Sequence, residues 1–206
     1  METRENATLP DLSLKLEDPA EEDPVLDWQA VFGNQQPVEI EIGIGKGSYI
    51  IAAAAAQPEI NFVGVEWAAK YLRLALERGQ KRGLLNLRLL HADAREFVEF
   101  FVPSASVQAL HLYFPDPWPK KRHHKRRLFN PAFLGEVARI LRPGGRLWLA
   151  TDHEEYFAVM QEVLAGDPRF RDTDATWAGV KTNYEEKYLR VGKPINRRVV
   201  ELAEIA

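Results

Sequence analysis

Hydrophobic and polar positions follow two alternating periods along this chain. From residue 37 onward, short β-branched runs with a period of two give way to longer segments with apolar residues every three or four positions. Residues 38–44, VEIEIGI, predict a strand ending in glycines, and residues 47–56 predict a helix that stops before Pro58. Further strands are predicted at 61–66, 86–91, 107–114 and 146–151. Helices are predicted at 68–82, 94–101, 131–141 and 154–165, with a turn at 142–145. Leu72, Ala75 and Leu76 mark the inner face of helix 68–82, and Gly83 is its stop signal. Late strands fall near 170–176 and 197–202. Strands that alternate with helices in this way predict an α/β fold: a mostly parallel sheet, right-handed crossovers and helices on both faces. Ligands bind such sheets at the carboxyl ends of the strands, near the switch point. The residues to inspect are therefore 43–47, Glu66, Asp93, 114–118, Thr151 and Asp152.

Residues 1–36 break the pattern. They are polar, acidic and interrupted by Pro10, Pro19 and Pro24, with no sustained period. We expect a flexible N-terminal segment with one ordered stretch near 28–32, followed by a single domain over 37–206. The net charge of −3 conceals an asymmetry between these parts. The first 36 residues hold nine acidic and two basic residues, while the remainder holds 25 basic and 21 acidic. Six of those 25 lie in the eight residues 120–127, KKRHHKRR, the footprint of a polyanionic partner.

Composition removes several classes. The chain has no cysteine, which excludes disulfides, thiol nucleophiles, zinc–thiolate sites and iron–sulfur clusters. Its longest apolar run, 49–56, is far too short to span a bilayer, and the first residues lack the apolar core of a signal peptide. A cytoplasmic protein is expected, without membrane or metal. His123 and His124 are adjacent, so both rings rarely reach one ion, and no acidic cluster partners them.

The loop Glu41-Ile-Gly43-Ile-Gly45-Lys-Gly47 lets a backbone turn sharply and lets a ligand approach closely. A dinucleotide fingerprint would place its third glycine at 48, where this chain has serine. Glu41 is also a poor neighbour for a pyrophosphate and a good one for an ammonium. Glu66 closes the second strand, where a carboxylate accepts from two ribose hydroxyls. Asp93, followed by Ala94, can accept from an adenine amino group or cap the next helix, and the two are compatible. A tight structural turn and a solvated strand-end acid are the plainer readings of the loop and of Glu66. Adenosine with an amino-acid tail describes S-adenosylmethionine, and here the chain resembles the class I methyltransferases. The resemblance implies a Rossmann-like sheet of seven strands, the last antiparallel.

Residues 114–127, FPDPWPKKRHHKRR, supply the other half of the candidate site. Pro115 and Pro117 fix the backbone on both sides of Asp116, and Trp118 offers an aromatic surface. The cations that follow suit phosphate contacts along a nucleic acid, the plainer alternative being a solvated basic loop. This segment resembles the TrmB family, the tRNA (guanine-N7-)-methyltransferases. So do Thr151-Asp152 and Thr182-Asn183-Tyr184-Glu185, and the resemblance covers about residues 37–201. It implies methylation of a guanosine in the tRNA variable loop. It also implies cofactor contacts from Glu41, Gly43, Gly45, Gly47, Glu66, Asp93, Ala94 and Asp116, with Asp116 catalytic. Lys120, Asp152, Thr182, Asn183, Tyr184 and Glu185 would hold the guanosine. Arg122, His123, His124, Lys125, Arg126 and Arg127 would touch RNA. The chain is expected as a monomer or homodimer.

Guanine N7 carries a lone pair and no proton, so attack on a sulfonium methyl needs no general base. The protein's part is alignment and electrostatics. Two rival readings are another small-molecule enzyme on the same fold, such as a dehydrogenase or aminopropyl transferase, and a non-catalytic RNA-binding module. Ser48 and the basic run count against the first. The acidic set Glu41, Glu66, Asp93 and Asp116 counts against the second.

Overall fold

A computed structural model describes residues 9–16, 24–176, 185 and 192–203. The strands are β1 (Val38–Ile42), β2 (Asn61–Val65), β3 (Leu87–Leu90), β4 (Val107–Tyr113), β5 (Leu141–Thr151), β6 (Phe170–Asp172) and β7 (Asn196–Leu202). They form one seven-stranded sheet in the order β3-β2-β1-β4-β5-β7-β6. The pairs from β3 through β5 are parallel, and β7 runs antiparallel to both β5 and β6. The expected architecture and the antiparallel last strand are therefore both present. Chain order reverses between β1 and β4, so their carboxyl ends open side by side.

Period-two alternation sends the strand side chains to two cores. Ile40, Ile42, Val63, Val65, Leu110, Leu112, Leu147 and Leu149 pack on one face. They meet α5 (Pro131–Ile140) and α6 (Glu154–Ala165) through Phe133, Val137 and Tyr156, and the turn just after α4 (Ala94–Glu96) through Phe97. On the opposite face Phe62, Leu87 and Leu89 meet α2 (Ser48–Ala56) and α3 (Ala69–Gln80) through Ile50, Ile51, Leu72 and Ala75. Gly64 makes this second contact possible, because a Cβ there would lie within 2.6–2.9 Å of Leu89, Ile44 and Ile50 side-chain atoms.

Three expectations change. The helix predicted at 94–101 is one α-turn that widens into a π-helix over Phe97–Phe101. The wider turn buries Phe97, Val98 and Phe101 together and leaves Glu99 and Phe100 outside. The turn at 142–145 lies within β5: Leu141 pairs with Val107 and Arg146 with Ala109, so the intervening residues bulge from the ladder. The N-terminal segment is not loose where it is described. Leu12 is fully buried. The Leu14 N–H donates to the Leu89 carbonyl at 2.9 Å and the Leu89 N–H to the Leu12 carbonyl at 2.8 Å, which covers the edge of β3. Helix α1 (Trp28–Phe32) is capped by Asp27 and contributes Phe32 to the first core. The sequence misses Leu12 because a single leucine pairing with a distant edge leaves no local period.

Candidate active site

A cleft of about 510 Å³ opens at the carboxyl ends of β1, β2 and β4. It gathers Glu41, Gly43, Gly45, Glu66, Asp93, Ala94 and Asp116, seven expected site residues from four separate loops and strand ends. Gly47 stands apart. It precedes α2 with φ +72°, and a Cβ there would strike Ile51 and Ala75 at 2.8 and 2.9 Å, so its smallness serves helix packing. Gly43 and Gly45 share the positive φ, +74° and +53°, but a Cβ on either would meet nothing within 4 Å. Their missing side chains leave room against backbone in the left-handed region.

Glu66 is pinned by two backbone donors. Its Oε2 accepts from the Gly45 N–H and its Oε1 from the Ala68 N–H, each at 2.7 Å. The carboxylate therefore links the glycine loop to the start of α3, and each oxygen keeps a lone pair for a hydroxyl. Asp93 caps α4 through Oδ1, which accepts from the Arg95 and Glu96 N–H groups at 2.8 and 3.4 Å. Both bonds go to Oδ1, so Oδ2 is not engaged by the cap.

Glu41 is the most deeply buried acid of the cleft. It is buried, and Oε2 has no hydrogen-bond partner. Burial raises its pKa from 4.5 to about 8; the Ile50 backbone N–H opposes that rise and the Glu66 charge adds to it. A cationic group entering here would supply both a donor and a countercharge.

The Asp116 loop is held in an uncommon backbone conformation. Phe114 and Trp118 have φ of +51° and +43°, and they bracket Pro115, Asp116 and Pro117. Bulky residues in this region cost on the order of 1–3 kcal/mol each, so surrounding contacts must hold them. The Phe114 N–H donates to the Ala150 carbonyl at 2.7 Å. Arg127 supplies the second restraint. Its Nε donates to the Pro117 carbonyl at 2.7 Å, Nη1 and Nη2 reach Glu155 at 3.0 and 2.6 Å, and the guanidinium lies 4.8 Å from the Tyr156 ring centroid. The Arg127 hydrogen bonds hold the Glu155 carboxyl below its ordinary range.

This corrects the RNA-facing expectation for Arg127, which is 4% exposed. A run of like charges in sequence gives no sign of which member turns inward. The rest of the run forms a 3₁₀ helix over Lys121–Arg126, preceded by exposed Lys120. Lys121, Arg122, Lys125 and Arg126 are exposed, and Arg126 lies 4.9 Å from the Trp118 ring centroid at the cleft wall. His123 and His124 are half-buried, and His124 Nε2 is buried without a partner.

Three expected substrate residues, Lys120, Asp152 and Glu185, are not in the cleft lining. Asp152, just past the end of β5, pairs with Lys193. Glu185 is buried and accepts from Arg197 at 2.7 Å. Thr182, Asn183 and Tyr184 lie outside the described residues.

Sequence reasoning missed the aromatic lining: Tyr49, Trp67, Tyr71 and Tyr113. Trp67 is 68% exposed and stacks on His91, with ring centroids 5.4 Å apart. Its signal was its position directly after Glu66. Behind Tyr49 and Tyr113 lies a second cavity of about 390 Å³ that shares both rings. There His111 Nε2 meets Glu39 at 2.9 Å and Nδ1 meets the Tyr113 hydroxyl at 2.7 Å. Burial would raise the Glu39 pKa, but hydrogen bonds from His111 and Gln108 outweigh it and lower the value. Burial also pushes the Tyr49 and Tyr113 hydroxyls well up, so both stay protonated.

Comparison with known proteins adds an independent observation. A family model described as a putative methyltransferase matches residues 35–198. The chain is 43% identical over 172 residues to a Bordetella parapertussis protein named tRNA (guanine-N(7)-)-methyltransferase, covering 81% of this chain and 68% of that one. It is 40% identical over 184 residues to the protein of that name from Rubrobacter xylanophilus, covering 86% and 82%. TrmN from Thermus thermophilus superposes with a TM-score of 0.59 at 24% identity, covering 84% of this chain and 46% of that one. The 16S rRNA methyltransferase KamB gives 0.61 at 15% identity, covering 86% and 93%. At these identities the structural likeness is one of fold. Among the described residues no helix is long and apolar enough to cross a membrane.

Proposed function

The chain belongs to the S-adenosylmethionine-dependent tRNA (guanine-N(7)-)-methyltransferase family, and we propose that it methylates a guanosine of the tRNA variable loop in the cleft between β1 and β4. Two features of the cleft fit the cofactor: the unpartnered buried oxygen of Glu41, and the space left against Gly43 and Gly45. Bound there, S-adenosylmethionine supplies a sulfonium methyl. Glu41 is the acceptor for its ammonium, Glu66 for the ribose hydroxyls and Asp93 for the adenine amino group, with Ala94 beside the ring.

The remaining chemistry belongs to the Asp116 side. Guanine N7 presents a lone pair and no proton, so the protein has no nucleophile to deprotonate. Asp116 positions guanine by accepting from N1–H and the N2 amino group, and its charge offsets the positive charge that develops on the ring. Adenine lacks those donors, which gives the selection. Asp152, Lys120 and the segment 182–185 complete the hold on the guanosine, and the exposed cations of 120–126 meet the RNA backbone. Arg127 acts through Pro117, keeping Asp116 in place. The tRNA reading supports a cytoplasmic location.

One observation carries the reading: Asp116 shares a single cleft with Glu41 and Glu66, on a loop left-handed at both ends. Incubation with labelled S-adenosylmethionine and bulk tRNA, followed by digestion, tests it. The label should appear in 7-methylguanosine; label in another nucleoside, or none, would overturn it.

A further inference from the structure

Among the described residues some cations have carboxylate partners and others do not. Arg127, Arg139, Arg146, Arg169, Arg171, Lys193, Arg197 and Arg198 all have carboxylate partners. Among the described residues no ion pair involves Lys121, Arg122, Lys125 or Arg126, the exposed part of the basic run. The same is true of a second cluster, which is not adjacent in sequence. It consists of Lys70, Arg73 and Arg78 on α3, with Lys81 and Arg82 directly after it, and all five are exposed.

Helical geometry gives this second cluster a shape. Lys70, Arg73, Glu77 and Lys81 fall on one stripe at the three- and four-residue spacing of a helix face. Leu72, Ala75 and Gly79 are buried on the other side. At 1.5 Å per residue the stripe from Lys70 to Lys81 is about 16 Å long, enough to follow several phosphates of one strand. Glu77 is its single acid. Beside the stripe, Tyr71 lines the cleft and Arg78, two turns on, donates from Nη1 to the Lys46 carbonyl of the glycine loop at 2.7 Å. Tyr71, next to Lys70, thus brings the amino end of the cluster to the cleft on the β2 side, while Arg126 brings the basic run to it on the β4 side. Five clustered cations without a carboxylate partner among the described residues leave a charge that a polyanion neutralises with release of counterions.

We infer that the exposed basic face of α3, with Lys81 and Arg82, is a second phosphate-binding surface for tRNA, so that the nucleic acid is held on both sides of the cleft. The inference rests on the tRNA reading above, and the test separates the two. Full-length protein is titrated with bulk tRNA at a series of salt concentrations, and the slope of log affinity against log salt is read. In the Lys70→Ala, Arg73→Ala, Lys81→Ala triple variant, affinity should fall. The slope should become shallower by about 0.7–0.9 for each phosphate that is no longer neutralised, roughly 2–3 in all. The charge-keeping Lys70→Arg, Arg73→Lys, Lys81→Arg variant should restore the wild-type slope. A triple variant with wild-type slope and affinity overturns the α3 surface, as does failure of the charge-keeping variant to restore the slope. A parallel Lys121→Ala, Lys125→Ala, Arg126→Ala variant serves as reference. If it loses slope while the α3 variant does not, only this surface is wrong. If the wild type itself shows no salt-dependent tRNA binding, the tRNA reading falls as well.

Discussion

The Arg127 side chain donates from Nε to the Pro117 carbonyl at 2.7 Å, so a member of the basic run is fastened to the residue that follows Asp116. The contact closes a chain from α6 through Glu155 and Arg127 to the strained 114–118 loop. A residue read as RNA-facing from its neighbours thereby holds, from behind the cleft lining, the loop that carries Asp116.

Replacing Arg127 with alanine should therefore slow methyl transfer without changing the salt dependence of tRNA binding. It strands the half-buried Pro117 carbonyl and so loosens the loop that carries Asp116. Arg127→Lys restores one donor but not the fork to Glu155, and should recover activity only in part. Single-turnover rates beside tRNA salt titrations check this; a shallower salt slope with a normal rate would return Arg127 to the RNA surface.

Glu41 should couple cofactor binding to pH. Its carboxyl rises from 4.5 to about 8 in the fold, so folding favours the protonated form. That stability is complete below pH 4.5 and is lost as pH rises toward 8. A cationic ligand reverses the preference and expels the proton. Calorimetry near pH 7 in buffers of different ionisation enthalpy should show release of about one proton on S-adenosylmethionine binding. Glu41→Gln should abolish this release, and the stability of the variant relative to wild type should grow between pH 4.5 and 8. Equal proton release in both proteins would remove Glu41 from the ammonium site.

Glu66→Ala removes the acceptor that ties Gly45 to Ala68 and faces the ribose hydroxyls. Loss of hydrogen bonds to a charged group costs roughly 1.5–3 kcal/mol, or about tenfold to a hundredfold in affinity. Unchanged affinity by calorimetry would exclude it from the cofactor site.

The sheet was legible because β-branched runs and amphipathic helices repeat locally, and the cleft was legible because strand ends carry glycines, acids and prolines in known order. What escaped was tertiary. Glu39 and Glu41 alternate with isoleucines in β1 as solvent-facing acids would, yet both are buried, at 8% and 4% exposure. Glu39 meets His111, 72 positions away, and no local pattern encodes that pairing. Arg127 and Arg126 are neighbours of identical chemistry, and only the placement of Glu155 and Pro117 sends one inward. Lys70, Arg73 and Lys81 lie outside any charge run, and only the helix brings them onto one stripe.

The most direct test of the account is single-turnover methylation of tRNA against pH, for wild type and Asp116→Asn, with tRNA and cofactor saturating so that Glu41 ionisation drops out. The variant keeps the shape and one acceptor and loses the charge. If Asp116 aligns guanine and offsets developing charge, the variant should form 7-methylguanosine about 10²-fold more slowly or worse, by comparison with removal of one preorganised electrostatic donor. The wild-type rate should show no near-neutral pKa, because N7 carries no proton to remove. A wild-type rate that rises through a near-neutral pKa, lost in the variant, would make Asp116 a true base and contradict the account. A variant with full activity would remove Asp116 from the reaction.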